Sequence, residues 1–496
     1  MQFVARVLIP PVHNASTVIT IENTEITTET LRYAPMPACA SCGSLSGAEL
    51  TQSGFDMWTY HVSAGMVPAH LRDRRSYQLH YLPRNVQLGD SRGDRLYGAN
   101  RVALPAFLGD DLLPYQDGTM LARLGVILKA AAGFRNDTDR SRIAPTGGNL
   151  KSPELYVTIP ASTISQAGTY RYCPDDHALE FVSAVTPAML STRLGTNRRP
   201  DVAYIVGSGR LAHVFRKYSD FAFRVVGLDA GVALAYIHRI ANALGMSVSE
   251  QSLSDMTDIL DYMNVRTMNW QNVATFAVAV NVAKLSNAYT PLATPMFDAL
   301  LYGALKQDAD SPSRVPKAVA TLESTLKPMY ARRSSRVFAH RPLQKHTLLA
   351  MFRNATDELC RRVNAGARNV NARILLAAQC GNDIDLAAGI FAYDGQLNEL
   401  YSLKLGLSYT DVSLFVTQEN LQRAPYIAIA CVDLSVALPS QGNTGYLHAL
   451  SHAGSLGALI ALEATERGLA SCLSAGPYVS RWDGTGSLKN IVSYRA

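Results

Sequence analysis

Apolar and polar positions along the chain fall into two runs built on one plan. In DAGVALAYIHRIANALGMS, starting at Asp229, the apolar residues Val232, Ile237, Ile240, Ala241 and Leu244, with Leu228 just before the stretch, lie near helical spacing. HAGSLGALIALEATERGLAS, starting at His452, repeats the pattern with Leu456, Leu459, Ile460 and Leu469. Each opens on Ala-Gly and closes on a Gly at the same spacing, Gly231 to Gly245 and Gly454 to Gly468. A closing Gly suits a helix C-cap, where the backbone turns left-handed. Before each predicted helix lies a β-rich run, DVAYIV (Asp201 to Val206) and PYIAIACV (Pro425 to Val432). Further upstream, TYRYCPDDHALEFVS matches IFAYDGQLNELYSL, each an aromatic hairpin ending in a second strand.

Three matching elements in one order predict two copies of a single α+β unit, residues 96–310 and 325–496. The stretch KQDADSPSRVPK, Lys306 to Lys317, reads as the linker between them. Small residues at the start of each helix suit close packing against a like helix, so the copies are expected to form an intramolecular pseudo-dimer. Residues 1–95 belong to neither copy. Their β-branched opening, LIPPVHNASTVITIENTEITTETL, predicts strands in an N-terminal accessory region that is a candidate for peptide binding.

Composition adds little but excludes much. A chain of 496 residues with 48% hydrophobic and 17% charged residues can bury a large core in more than one domain. No uncharged apolar run reaches about 18 residues. The start, MQFVARVLIPPVHN, lacks the apolar core of a secretory signal, so a cytoplasmic protein without membrane contact is expected. The net charge of +6 is diffuse and comes with no nucleic-acid-binding signature, though it could favour an acidic peptide or a phosphorylated cofactor. Cys39 and Cys42 form a CxxC with no second pair at zinc-ribbon spacing; an ordinary reduced loop is expected, with a zinc knuckle shared with a partner as the alternative. The His residues form no HExxH, and no catalytic metal is expected.

The candidate chemistry lies where the copies differ. The second copy begins YARRSSRVF, where Arg332, Arg333, Ser334 and Arg336 place guanidinium forks and hydroxyls in one loop or helix start, as suits a phosphate. The first copy has Pro145, Thr146, Gly147, Gly148 and Asn149, a turn whose glycines let the backbone approach a flat ligand while Asn149 addresses a polar ring edge. Taken alone, either stretch could be an ordinary surface turn. Each copy lacks what the other has, which suggests one shared site between them with its pseudo-symmetric counterpart abandoned.

The order of RRSSR, the Pro-Thr-Gly-Gly loop before ELY, the YRY hairpin and the KYxxxxFR stretch resembles the nitroreductase-like flavoproteins, and within them the azoline-dehydrogenase branch. The resemblance covers residues 96–496. It implies an α+β fold, with a central sheet flanked by helices and FMN bound between two halves. It places Arg332, Ser334 and Arg336 on the phosphate and ribityl chain, with Arg333 beside them. Pro145, Thr146, Gly147, Gly148 and Asn149 would lie against the isoalloxazine, and LASCLSAG, ending at Gly476, would complete the pocket. Lys489 could add a phosphate contact. By the same resemblance Lys217 and Tyr218 are catalytic and Arg224 contacts substrate; the second copy has Ser440 and Gln441 where the pair would fall. Phe221 and Val232 depart from the family pattern, which bears on substrate contacts rather than on the flavin.

An exposed lysine would be almost fully protonated at neutral pH, so Lys217 needs burial or a neighbouring Arg to act as a base. The implied activity is FMN-dependent oxidation of thiazoline or oxazoline rings in a modified precursor peptide, ribosomal or assembly-line, alongside cyclodehydratase partner proteins. An NAD(P)H-dependent flavin reductase and a flavin-free peptide-binding subunit are the alternatives, and further oligomerisation is left open.

Overall fold

The computed structural model describes residues 4–12, 15–22, 25–32, 88, 99–105, 119–136, 140–196, 202–218, 221–251, 253, 258–265, 272–281, 317–339, 341–363, 372–379, 386–395, 397–406, 419–432 and 434–474. Strands β1 (Val4–Val12), β2 (Ala15–Glu22) and β3 (Glu25–Arg32) form an antiparallel sheet of their own.

The next part of the chain runs β4 (Arg101–Ala103), α1 (Met120–Ala132), β5 (Pro153–Ile159), β6 (Gly168–Cys173), β7 (Ala178–Ser183), α2 (Pro187–Arg193), β8 (Val202–Gly209) and α3 (Leu211–Tyr218). It continues through α4 (Ala222–Ala243), β9 (Ser247–Gln251), α5 (Asp258–Tyr262) and β10 (Val273–Asn281). Its strands make one antiparallel sheet, ordered β4-β7-β6-β5-β8-β10-β9. After α6 (Lys317–Ala331) and α7 (Lys345–Val363) come β11 (Ala372–Ala378), β12 (Gly389–Asp394), β13 (Glu399–Leu405), α8 (Glu419–Gln422), β14 (Tyr426–Val432) and α9 (Leu434–Glu466). The second sheet is ordered β13-β12-β11-β14, also antiparallel.

The order β7-β6-β5-β8 in one sheet is the order β13-β12-β11-β14 in the other. The matched aromatic hairpins are β6–β7 and β12–β13, and each places a left-handed residue just before its second strand, His177 (φ 45°) and Asn398 (φ 54°). The fold is α+β with antiparallel sheets flanked by helices, as the sequence implies. Two helix starts differ from the sequence reading. Helix α4 begins at Ala222, because AFRVVGL continues the apolar pattern, and α9 begins at Leu434, far ahead of His452. In the first half the matching stretch is split into α3 and α4, whereas in the second half it is one continuous helix.

Helices α4 and α9 cross backbone to backbone at the repeated Ala-Gly. A Cβ on Gly231 would lie 2.0 Å from the Ser451 carbonyl oxygen, and one on Gly454 would lie 2.1 Å from that of Leu228. The Ser455 hydroxyl donates to the Gly231 carbonyl at 2.6 Å and accepts from Arg362 Nη1 at 2.6 Å. Around this crossing a single core draws on both halves: Leu124, Ile127, Tyr236 and Ile237 pack with Phe352, Leu359, Leu456 and Leu459. Each large side chain so buried contributes roughly 1.5–3 kcal/mol, so parting the two halves would expose costly apolar surface on both. Buried charges are paired there. Arg362 Nε meets Glu250 at 2.8 Å and, against the effect of burial, holds its carboxyl well below the usual range. Among the described residues, no helix is long and apolar enough to cross a membrane.

Candidate functional site

The PTGGN turn leaves α1 and leads into β5. Its shape is fixed from beneath by Arg142, whose Nη1 donates to the Pro153 carbonyl at 2.7 Å and Nη2 to that of Lys151 at 3.1 Å. Burial, with help from the charge of Arg210, lowers this guanidinium to about 10. The Thr146 hydroxyl accepts the Lys151 N–H at 3.1 Å, so it shapes the turn from within. Gly147–Asn149 form a 3-10 turn in which Gly148 and Asn149 are left-handed, with φ of 60° and 57°. Asn149 is exposed and Pro145 half-buried at the rim. The Gly147 N–H donates to Asp229 Oδ1 on α4 at 2.8 Å.

Gly148 is where the two candidate motifs of the first half meet. A Cβ there would lie 2.4 Å from Lys217 Nζ and 2.7 Å from Tyr218 Oη. Only a glycine backbone leaves room for both groups and also adopts this φ without strain. Lys217 and Tyr218 form the last turn of α3 rather than an open charged turn. Lys217 is 3% exposed, and its Nζ lies 5.2 Å from the centroid of the Tyr218 ring. Desolvation first, then the charge of Arg336, lowers Lys217 from 10.5 to about 8.

Arg336 belongs to the other half, so the RRSSR loop faces the Lys–Tyr pair across the interface. The loop follows the C-terminus of α6 instead of starting a helix. Arg135, just beyond α1, clamps it from the first half by donating to the Tyr330 carbonyl and, at 2.6 Å, to that of Arg332. Ser334 pairs with Ser471 in a parallel bridge, and the Ser335 N–H donates to the Ser471 carbonyl at 2.9 Å. The LASCLS segment therefore lines the loop. Arg332 is buried, its Nη1 3.4 Å from Ser334 Oγ. Arg333 turns back to cap α6, donating to the carbonyls of Tyr330 at 2.6 Å and Arg332 at 3.2 Å.

Arg224 is buried at the same interface, with Nε and Nη2 each 3.4 Å from the Tyr446 hydroxyl of α9. Phe223 stacks on the Tyr446 ring at 6.3 Å, so this stretch ties the halves together beside the pair. Gly476 and Lys489 lie outside the described residues.

Two buried polar atoms in the RRSSR cleft, Arg332 Nε and Ser471 Oγ, have no hydrogen-bond partner among the described residues. A fixed donor fork, an unspent hydroxyl and the exposed Arg336 fit an anionic group, and the left-handed glycine backbone opposite fits a flat one. The residues present thus suit a planar phosphorylated cofactor. Sequence reasoning missed Arg135, Asp229 and Tyr446. Of these only Asp229 carried a visible signal, since it is Asp in DAG where the sister copy has His452 in HAG.

No family model and no curated protein sequence matches the chain. Among solved structures, a protein assigned as a nitroreductase from Anabaena variabilis superposes with a TM-score of 0.61 at 16% identity, over 83% of this chain and 92% of its own. A second protein so assigned, from Ralstonia eutropha, gives 0.29 at 20% identity, over 40% and 89%. The E. coli microcin synthetase McbBCD complex with truncated pro-MccB17 bound gives 0.31 at 16% identity, over 48% and 98%. The extended match to the first of these shows that the chain has a nitroreductase-like fold.

Proposed function

We propose that this chain is an FMN-dependent dehydrogenase that oxidises thiazoline or oxazoline rings in a modified precursor peptide to thiazole or oxazole, working beside cyclodehydratase proteins in the cytoplasm. One observation carries the reading: Lys217 Nζ and Tyr218 Oη converge over the left-handed Gly148 of a cofactor-type turn. The cleft between the halves would hold FMN, with Arg332, Ser334 and Arg336 on its phosphate and ribityl chain. Pro145, Thr146, Gly147, Gly148 and Asn149 would lie against its ring. Bound FMN supplies the hydride acceptor that such an oxidation needs.

The chain's own residues handle the proton. Aromatising the ring removes a proton from one ring carbon, and Lys217 takes it on Nζ. At about 8, roughly one Lys217 in ten is neutral at pH 7, against fewer than about one in a thousand for an exposed lysine. The resulting ammonium sits near Arg336, a repulsion that favours handing the proton on. Tyr218 Oη shares the space over Gly148 and orients the ring that enters it.

The test is thiazoline oxidation by Lys217→Ala and Tyr218→Phe, with flavin content measured in each. Loss of a positioned base typically costs about 10²–10⁴-fold, and Lys217→Ala should fall in that range with its flavin retained. Full activity in both variants would overturn the assignment. NADPH oxidation without thiazoline turnover by the parent protein would instead mark a flavin reductase.

A further inference from the structure

The PTGGN turn rests on α4 at two points one helical turn apart. Val225 is so close that a Cβ on Gly147 would lie 2.4 Å from its Cγ1. Asp229 accepts the Gly147 N–H through Oδ1 at 2.8 Å. Asp229 is 5% exposed, and its buried Oδ2 has no hydrogen-bond partner among the described residues. Arg142 is the charge that reaches it, but both Arg142 Nη atoms are directed to the Pro153 and Lys151 carbonyls. Burial raises Asp229 to about 8, with the Gly147 N–H and Arg142 acting the other way. At neutral pH it is therefore mostly an uncharged carboxyl, whose carbonyl oxygen serves Gly147. The sister half has His452 at the matched position, near Glu250 and Arg362.

We propose that Asp229 is the positioning residue of the Lys–Tyr pair: by holding the Gly147 N–H it fixes the height of Gly148 beneath Lys217 Nζ and Tyr218 Oη. The role it serves rests on Lys217 being the base. The geometry explains how a residue on α4 can control a group on α3. Gly148 backbone covers Nζ, and desolvation is the main cause of the lowered Lys217 value; the charge that acts on Lys217 is Arg336, not Asp229. Releasing the turn would admit water to Nζ and return Lys217 toward an ordinary lysine.

The experiment reads Lys217 directly, without an enzymatic assay. Trace acetylation with acetic anhydride across a pH series, followed by peptide mass spectrometry, gives the midpoint at which Lys217 becomes reactive. The full-length parent protein is compared with Asp229→Asn, which keeps an acceptor oxygen, and with Asp229→Leu and Asp229→Ala, which do not. Whichever apolar variant keeps the parent far-UV circular dichroism is used. The midpoint should rise by about one pH unit or more in that variant and stay at the parent value in Asp229→Asn. An unchanged midpoint in the apolar variant, or an equal rise in Asp229→Asn, would overturn the proposal. A parent protein that binds no flavin and leaves thiazoline untouched would defeat the proposed activity, while the Lys217 midpoints would still decide the role of Asp229.

Discussion

Lys217 is buried without an ion-pair partner in the described structure, and its chemistry follows from that placement. A base must be neutral to accept a proton, so the rate of ring oxidation should rise with pH and level off above about 8, where Lys217 has deprotonated. A pH–rate profile that is flat over this window would contradict the assignment. Gly148 is the second sensitive position. Gly148→Ala puts a Cβ at φ 60°, a strain of about 1–2 kcal/mol, and within 2.4 Å of Lys217 Nζ. Its effect on kcat should exceed its effect on stability, by about 10-fold or more in rate, because the misplaced group is the proposed base. Measuring kcat and Tm on the same preparation separates the two. Asp229 gives a third expectation, in stability. Its native value is raised from 3.8 to about 8, so the folded protein holds a proton that the unfolded chain releases between those limits. The stability this confers is lost as pH rises through the window. Asp229→Asn does not titrate, so its unfolding free energy should gain on the parent's as pH rises from about 4 to about 8, by roughly 1.4 kcal/mol per pH unit and so on the order of 5 kcal/mol in all, which a Tm series across that range reads as a widening difference.

At the scale of elements, the crossing of α4 and α9 decides whether the site exists at all. Gly231→Ala would place a Cβ 2.0 Å from the Ser451 carbonyl oxygen, where backbone on both sides resists movement. Overpacking of this kind costs about 1–3 kcal/mol. Thermal unfolding should show it, and the proposed FMN site should lose occupancy with it, because that cleft would have one wall on each half; an unchanged Tm would show that the helices part easily. This crossing was legible in the sequence, since small residues recur at one spacing in both copies. The hairpins were legible too, because aromatic alternation brackets a polar turn in each. The split between α3 and α4 was not, as FRKYSDF contains neither Pro nor Gly to mark a break. Nor was the bridge of Ser334 to Ser471, which joins stretches far apart in the chain, or the clamp from Arg135, which reads as one more surface arginine until its partners are known.

For the whole molecule, the two halves share a strand order but not their chemistry. The Lys–Tyr pair ends a separate helix in the first half, and the second half has continuous helix at the matching positions. The RRSSR guanidinium cluster belongs to the second. The proposed function accordingly takes one complete cleft per chain, built from the Pro-Thr-Gly-Gly turn on one side and the Arg-Ser loop on the other. The measurement that bears on this most directly is the amount and identity of flavin released from the purified protein, read by visible spectrum and mass. FMN close to one per chain is the expected result. Two per chain, or a colourless protein that takes up no FMN when it is added, would contradict a single shared cofactor site.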